Sequence, residues 1–158
     1  MMQQSVTLKN LEGAFAGESM AHAKYRYFAK ICRELGDEDT ARRFEETAAQ
    51  EVLHAQGHLE LLYPKEKLTV ADCLKLAIDG ETYEYTEMYP SFRHAAVAEG
   101  NAAAVQEFDE QIAESKDHAR QFSAMLIKAA KRFDALTRVE KRHAEAYTAQ
   151  LTKITSEA

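Results

Sequence analysis

Apolar residues recur three and four positions apart through most of this chain, which is the spacing that places side chains on one face of a helix. The pattern is interrupted at Gly36, Pro64 and Gly100, residue types that end or turn helices. It therefore predicts an all-α protein with helices over about residues 7–34, 38–62, 70–98, 101–125 and 129–155. Pro90 falls inside the third of these helices and should kink it, because its ring removes one backbone hydrogen bond.

The last third of the chain continues the apolar spacing of a helix without any residue type that ends helices. No glycine or proline occurs after Gly100. An unbroken helix over this stretch would be about 80 Å long if it were straight. Because a compact domain would break such a helix once, we expect a break within residues 123–131.

The composition is that of a single soluble domain covering residues 1–158, with 46% apolar and 29% charged residues. The net charge of −6 argues against binding to nucleic acid or to an anionic membrane surface. The chain opens with no signal-peptide pattern and has no apolar run of about 18 residues, so we expect a cytoplasmic protein. Its two cysteines, Cys32 and Cys73, form no Cys-x-x-Cys pair and predict no thiolate metal site.

The strongest chemical signal lies in the stretch RFEETAAQEVLHA, residues 43–55, where Glu51 and His54 share one face of a helix. A carboxylate and an imidazole at this spacing form the Glu-x-x-His half-site of carboxylate-bridged di-metal bundles. The frame recurs as RFDALTRVEKRHA, with Glu140 and His143 at the same offsets. A single such motif arises by chance on charged helices, but two matched frames are a much stronger signal.

Further carboxylates fall on helix faces that should be apolar. Glu18 and Glu81 each follow a glycine, and Glu84 lies about one turn beyond Glu81. A buried carboxylate costs several kcal/mol unless a partner or a metal compensates its charge. With the two half-sites, these residues make a set of five carboxylates and two imidazoles, which suits iron or manganese better than zinc or copper. Solvated surface charges would explain each residue singly, but not the matched frames.

Three stretches of the sequence resemble the rubrerythrin family: AFAGES at residues 14–19, the Glu-x-x-His pair at residues 51–54, and GETYEYTEMYPSF at residues 80–92. The resemblance covers about residues 8–92 and then residues 133–151. It implies a ferritin-like antiparallel four-helix bundle with two iron ions, usually a homodimer, that reduces hydrogen peroxide to water in oxidative-stress defence. Manganese or a mixed-metal centre is the alternative to iron.

Carried over residue by residue, the resemblance implies the metal ligands Glu18, Glu51, His54, Glu81, Glu84, Glu140 and His143. It also implies that Tyr25 and Tyr89 line the site. Glu84 has no counterpart in the first half of the chain, so we expect it to be a mobile, catalytic ligand. The alternative function within this fold is a ferroxidase or iron-storage protein, and a helical bundle without metal is a second alternative.

The sequence departs from typical rubrerythrins in two respects. It has no rubredoxin domain with two Cys-x-x-Cys pairs, so we expect an external electron donor such as a rubredoxin-like protein. The spacing from the third helix to Glu140 also exceeds the family's spacing by about one helix. A third copy of the frame, FDEQIAESKDHA at residues 108–119, matches the family's spacing, but Ser115 stands where the ligand glutamate should be.

Two candidates therefore stay open for the last half-site. Loop length favours the copy with Ser115 and His118, whereas ligand chemistry favours Glu140 and His143, because a serine cannot replace a bridging carboxylate. We favour Glu140 and His143. This assignment requires residues 101–125 to be an extra helical segment between the third and last helices, or to be exchanged between the two chains of a homodimer.

Overall fold

The computed structural model describes residues 5–156, nearly all of which are helical. The elements are α1 (Val6–Glu34), α2 (Glu38–Leu62), a 3₁₀ turn (Lys65–Lys67), α3 (Val70–Tyr83), a π-helical segment (Glu84–Met88), α4 (Tyr89–Ala98) and α5 (Ala102–Ser156). No strand occurs within residues 5–156, so the all-α prediction is confirmed. The helices form two compact units, one up to Leu68 and one from Thr69 on.

The first unit is a hairpin of α1 and α2. Gly36 makes the turn at φ +86°, a left-handed conformation that glycine adopts without strain. Asp37 caps α2, because its side chain accepts a hydrogen bond of 2.9 Å from the backbone N–H of Thr40. Small buried side chains line these two helices: Ala29, Ala41, Ala48 and Ala55. Their size lets the two backbones approach each other closely.

In the second unit, α3 begins with a capping box. The Thr69 hydroxyl accepts a hydrogen bond of 3.2 Å from the backbone N–H of Asp72, and the Asp72 carboxylate accepts one of 3.0 Å from the backbone N–H of Thr69. The Thr69 hydroxyl also donates to this carboxylate, at 2.6 Å. The side-chain and backbone hydrogen bonds from Thr69 hold the pKa of Asp72 below its ordinary value of 3.8.

The irregularity expected at Pro90 takes the form of the π-helical segment. At its end the backbone N–H of Tyr89 bonds to the carbonyl of Glu84, five residues back. Pro90 then lies in the first turn of α4, where a helix needs no N–H donor. The helix thus accommodates the proline by a local change from α-helical to π-helical hydrogen bonding. Glu84 is the first residue of this π-helical segment.

Helix α5 runs without interruption from Ala102 to Ser156, so the break expected within residues 123–131 is absent. Each backbone N–H in this stretch can bond to the carbonyl four residues back, because no proline removes a donor and no glycine loosens the backbone. The 55 residues give a helix about 80 Å long. The segments predicted separately over residues 101–125 and 129–155 are therefore one helix.

The first half of α5 packs against α3 and α4. The ring of Phe108 contacts Tyr89 and Phe92, with centroids 6.1 and 5.9 Å apart. Arg93 donates two hydrogen bonds, of 2.6 and 3.0 Å, to the carboxylate of Asp109. Large apolar side chains on the second half are more than half exposed, namely Phe133, Leu136, Tyr147 and Leu151.

None of the helices within the described residues is long and apolar enough to span a lipid bilayer.

Candidate metal centre

The first unit brings together three of the predicted ligands. Glu18 projects from α1, Glu51 and His54 project from α2, and one ligand atom of each lies within 4.8 Å of the others. His54 Nδ1 is 3.0 Å from Glu51 Oε2. Both glutamates are partly buried, whereas His54 is exposed. Two carboxylates and an imidazole therefore converge, which is an oxygen-rich donor set that suits a divalent iron or manganese ion.

His22, one turn beyond Glu18, connects the two helices beside this group. Its Nδ1 atom is 2.8 Å from the backbone carbonyl of Ala48. Because a carbonyl oxygen only accepts hydrogen bonds, Nδ1 carries the proton of this bond. Ala48 lies about one turn before Glu51, so the bond helps to fix the spacing between the carboxylates of α1 and α2.

The second unit holds a second group of polar side chains, which the structure joins by two pairwise contacts and not by three ligand atoms within 4.8 Å of one another. His118 Nδ1, on α5, lies 3.4 Å from Glu81 Oε1, on α3. Ser115 Oγ, also on α5, donates a hydrogen bond of 2.9 Å to Glu84 Oε2 in the π-helical segment. The copy of the repeated frame that contains Ser115 and His118 therefore faces the two carboxylates of this unit.

Glu81 carries an unsatisfied oxygen in this second group. Its Oε2 atom is buried and has no hydrogen-bond partner among the described residues. A buried carboxylate oxygen without a partner is unfavourable unless a proton or a cation binds it. The surroundings of Glu81 therefore also fit a metal ion.

Glu140 and His143 are not brought to the carboxylates of the second unit. They are exposed, and they lie 25 residues further along α5 than Ser115 and His118, which is about 37 Å along the helix axis. Because α5 does not break, residues 101–125 form no excursion, and they themselves pack against α3. The preference for Glu140 and His143, which rested on ligand chemistry, is therefore not supported by the packing of α5.

Tyr25, the first of the two predicted site tyrosines, lies in the first unit. It is partly buried beside Phe44, with ring centroids 5.7 Å apart. It lines a shallow cleft together with Arg43 and Thr47. The ring of Tyr25 thus packs against the start of the repeated frame in α2, where Phe44 lies.

Tyr89 lies in the second unit, next to the carboxylates. Its ring contacts Phe92 and Phe108. Burial raises the pKa of Tyr89 above its ordinary value of 10, and the negative charges of Glu84 and Glu81 raise it further. Tyr89 therefore keeps its proton at neutral pH, close enough to both carboxylates to be affected by their charge.

Ser115 belongs to the second group, and the sequence keeps its copy of the frame open only as the alternative half-site. The available signal was its place in the repeated frame, seven residues after Phe108, where the other copies carry glutamate. We interpreted this as the loss of a ligand, and a sequence does not show that the hydroxyl hydrogen-bonds to Glu84.

Comparison with known proteins identifies relatives of the chain. The profile of the family described as Rubrerythrin matches residues 9–126. Nigerythrin from Nitratidesulfovibrio vulgaris is 42% identical over 130 residues, which are 75% of this chain and 64% of nigerythrin. Rubrerythrin from Porphyromonas gingivalis is 35% identical over 133 residues, which are 77% of this chain and 66% of that protein. The chain thus spans slightly less than two thirds of the length of these relatives.

Among solved structures, fully reduced, all-ferrous nigerythrin is similar to this chain at 35% identity, with a TM-score of 0.40 over 82% of this chain and 70% of that one. The family assignment rests on the sequence comparisons. The segment matched by the family profile contains Ser115 and His118, and it ends before Glu140 and His143.

Proposed function

Because this chain belongs to the rubrerythrin family, and so to the ferritin-like all-α fold class, we propose that it is a di-iron oxidoreductase that reduces hydrogen peroxide to water in oxidative-stress defence. The observation that carries the proposal is the convergence of Glu18, Glu51 and His54 to within 4.8 Å. We propose iron as the metal, as the resemblance to rubrerythrins implies, with manganese as the alternative that the same donor set accepts.

Each unit offers two carboxylates and one imidazole. The proposed ligands are Glu18, Glu51 and His54 in the first unit and Glu81, Glu84 and His118 in the second. Di-metal bundles of this class take carboxylate and Glu-x-x-His ligands from four helices, and each unit supplies candidate ligands of these types. We propose that the protein is a homodimer, with exchanged helices as one possible arrangement.

Ferrous ions bound by these residues would supply the two electrons that cleave the O–O bond of peroxide. The overall reaction, H₂O₂ + 2 H⁺ + 2 e⁻ → 2 H₂O, also consumes two protons. Tyr89 is our candidate for delivering one of them, because its hydroxyl carries a proton at neutral pH and is close enough to Glu84 and Glu81 for their charges to affect it. Its contacts with Phe92 and Phe108 hold the ring in place.

The oxidised centre must be reduced again after each turnover. Cys32 and Cys73, the two cysteines of the sequence, are too few for a rubredoxin-type iron site with four thiolates. We therefore propose that a rubredoxin-like iron–thiolate centre outside residues 1–158 delivers the electrons.

Anaerobic reconstitution with ferrous iron tests this function. The wild-type protein should bind about two iron ions per chain, and it should consume hydrogen peroxide when the two are mixed in a stopped-flow instrument. Glu51→Gln keeps the size of the side chain but removes its charge, so bound iron should fall to about one ion per chain and peroxide consumption should be lost. Glu60→Gln, at an exposed position of the same helix, is the matched control and should behave as wild type.

Protein that binds iron but leaves peroxide unconsumed would contradict the peroxidase function. Equal loss of iron in Glu51→Gln and Glu60→Gln would contradict the assignment of Glu51 as a ligand.

A further inference from the structure

Three copies of one residue frame allow this chain to be compared with itself. In each copy a phenylalanine is followed by a histidine ten residues later and an alanine eleven residues later. The residue seven positions after the phenylalanine is Glu51 in the first copy and Glu140 in the last. In the copy that faces α3 this residue is Ser115. A hydroxyl thus stands where the other two copies carry a carboxylate.

The hydroxyl of Ser115 is buried and directed at a carboxylate. Ser115 is 3% exposed and is the buried polar residue of the described part of the chain. Its Oγ donates to Glu84 Oε2 at 2.9 Å, and a hydrogen bond to a charged acceptor is stronger than one between neutral groups. Ser123 shows the alternative for a serine in a helix, because its hydroxyl donates to the backbone carbonyl of Ala119 at 2.7 Å. Ser115 instead bonds to a neighbouring element.

We propose that Ser115 is a positioning residue for Glu84. Its hydroxyl fixes the Glu84 carboxylate in the second group, and the short serine side chain leaves the space that this carboxylate occupies. A glutamate at position 115 would compete with Glu84 for the same space and would add a second negative charge. The inference rests on the proposed metal centre. It implies that the Glu84 carboxylate changes its position at the metal only when its hydrogen bond to Ser115 breaks.

Metal affinity measures this role directly. Anaerobic titration calorimetry with ferrous iron, and separately with manganese, should show a roughly tenfold loss of affinity in Ser115→Ala, the expected effect of losing one hydrogen bond to a charged group. Ser123→Ala is the matched control, because it removes a partly buried hydroxyl from the same helix without affecting a carboxylate. Its affinity should stay within about twofold of wild type. Ser115→Thr keeps the hydroxyl and should recover most of the affinity.

A double variant separates positioning from a general effect on packing. If Ser115 acts through Glu84, Ser115→Ala should cause little further loss of affinity in protein that already carries Glu84→Gln. If Ser115 only supports the fold, the same tenfold loss should occur in both backgrounds. Additive losses, equal losses in Ser115→Ala and Ser123→Ala, or a Ser115→Ala affinity within about twofold of wild type would each overturn the inference.

The inference and the proposed function fail in different ways. Wild-type protein that binds iron without consuming peroxide would remove the peroxidase function, and the affinity of Ser115→Ala would still decide the role of Ser115. Wild-type protein that reduces peroxide, with unchanged metal affinity in Ser115→Ala, would remove the role of Ser115 alone. Wild-type protein that binds neither metal would overturn both.

Discussion

His118 Nδ1 lies 3.4 Å from Glu81 Oε1, and this contact joins α5 to α3 within the second unit. Both histidine side chains are exposed, but His143, at the same place in the next copy of the repeated frame, makes no ion pair with the residues that the structure describes. The two histidines therefore have matching sequence contexts and different surroundings. This difference makes them a direct test of which copy binds metal.

His118→Ala should lower the iron bound after anaerobic reconstitution from about two ions per chain to about one. The physical reason is that the second group would keep its carboxylates but lose its only imidazole among the proposed ligands. His143→Ala is the matched control and should bind as much iron as wild type. Iron can be counted with a colorimetric chelator against protein concentration. The reverse pattern would assign the last half-site to Glu140 and His143.

Helix boundaries could be predicted from the sequence wherever the chain contains residues that end helices. The predicted ranges 7–34 and 38–62 agree within one residue with α1 and α2, because Gly36 and Pro64 enforce the boundaries. The prediction failed within residues 123–131, where it relied on the expected compactness of a domain. No residue type in that stretch ends a helix, so α5 continues through it.

The last half-site was harder to predict, because ligand chemistry and packing point to different copies of the frame. Glu140 and His143 have the ligand types that a di-metal site requires. The two copies on α5 are 25 residues apart, which is close to seven whole turns, so they share one face of the helix. The pattern of that face does not show which copy is covered. The contacts of Phe108 with Tyr89 and Phe92 show that the covered copy is the one at residues 108–119, which packs against α4.

Tyr89→Phe should slow peroxide reduction by roughly 100-fold, because the variant loses the proposed proton donor. It should keep the iron content of wild type, since the ring and its contacts with Phe92 and Phe108 remain. Because burial raises the pKa of Tyr89 above its ordinary value, its hydroxyl stays protonated at neutral pH, so the wild-type rate should not fall through loss of this proton there. Single-turnover stopped-flow measurements at several pH values check both statements.

Tyr83→Phe provides the control for this experiment. Tyr83 lies at the end of α3 and is exposed, so removal of its hydroxyl should leave the rate unchanged. If Tyr89→Phe reduces peroxide as fast as wild type, Tyr89 does not supply a rate-limiting proton. If its iron content falls as well, the hydroxyl supports the metal group itself.

Thr69→Ala should lower the free energy of unfolding by about 1 kcal/mol at neutral pH, because it removes the hydroxyl that caps α3. The pKa of Asp72 in the folded state lies below its ordinary value of 3.8, because the ionised carboxylate accepts hydrogen bonds from Thr69. A carboxylate of this kind stabilises the fold fully above its unfolded pKa, and the stabilisation is lost as the pH falls through its folded pKa. The difference between wild type and variant should therefore shrink below about pH 4.

Urea unfolding followed by circular dichroism at pH 7 and pH 3 measures this difference. Thr148→Ala is a suitable control, because the Thr148 hydroxyl donates to a backbone carbonyl of its own helix and is exposed. It should change the free energy of unfolding little at either pH. A difference between wild type and Thr69→Ala that persists unchanged at pH 3 would show that the Asp72 carboxylate does not contribute to the cap.

Removal of the second half of α5, in a chain that ends at residue 131, should leave iron binding at about two ions per chain. The proposed ligands in both units precede this point, and the first half of α5 keeps its contacts with α3 and α4. The shortened chain also loses exposed apolar side chains, among them Phe133 and Tyr147. Iron content and the circular-dichroism spectrum of the two lengths should be compared. The full-length variant Glu140→Gln separates the possible causes of any change: loss of iron in both proteins would make Glu140 a ligand, whereas loss in the shortened chain alone would mean that the second half of α5 supports the fold.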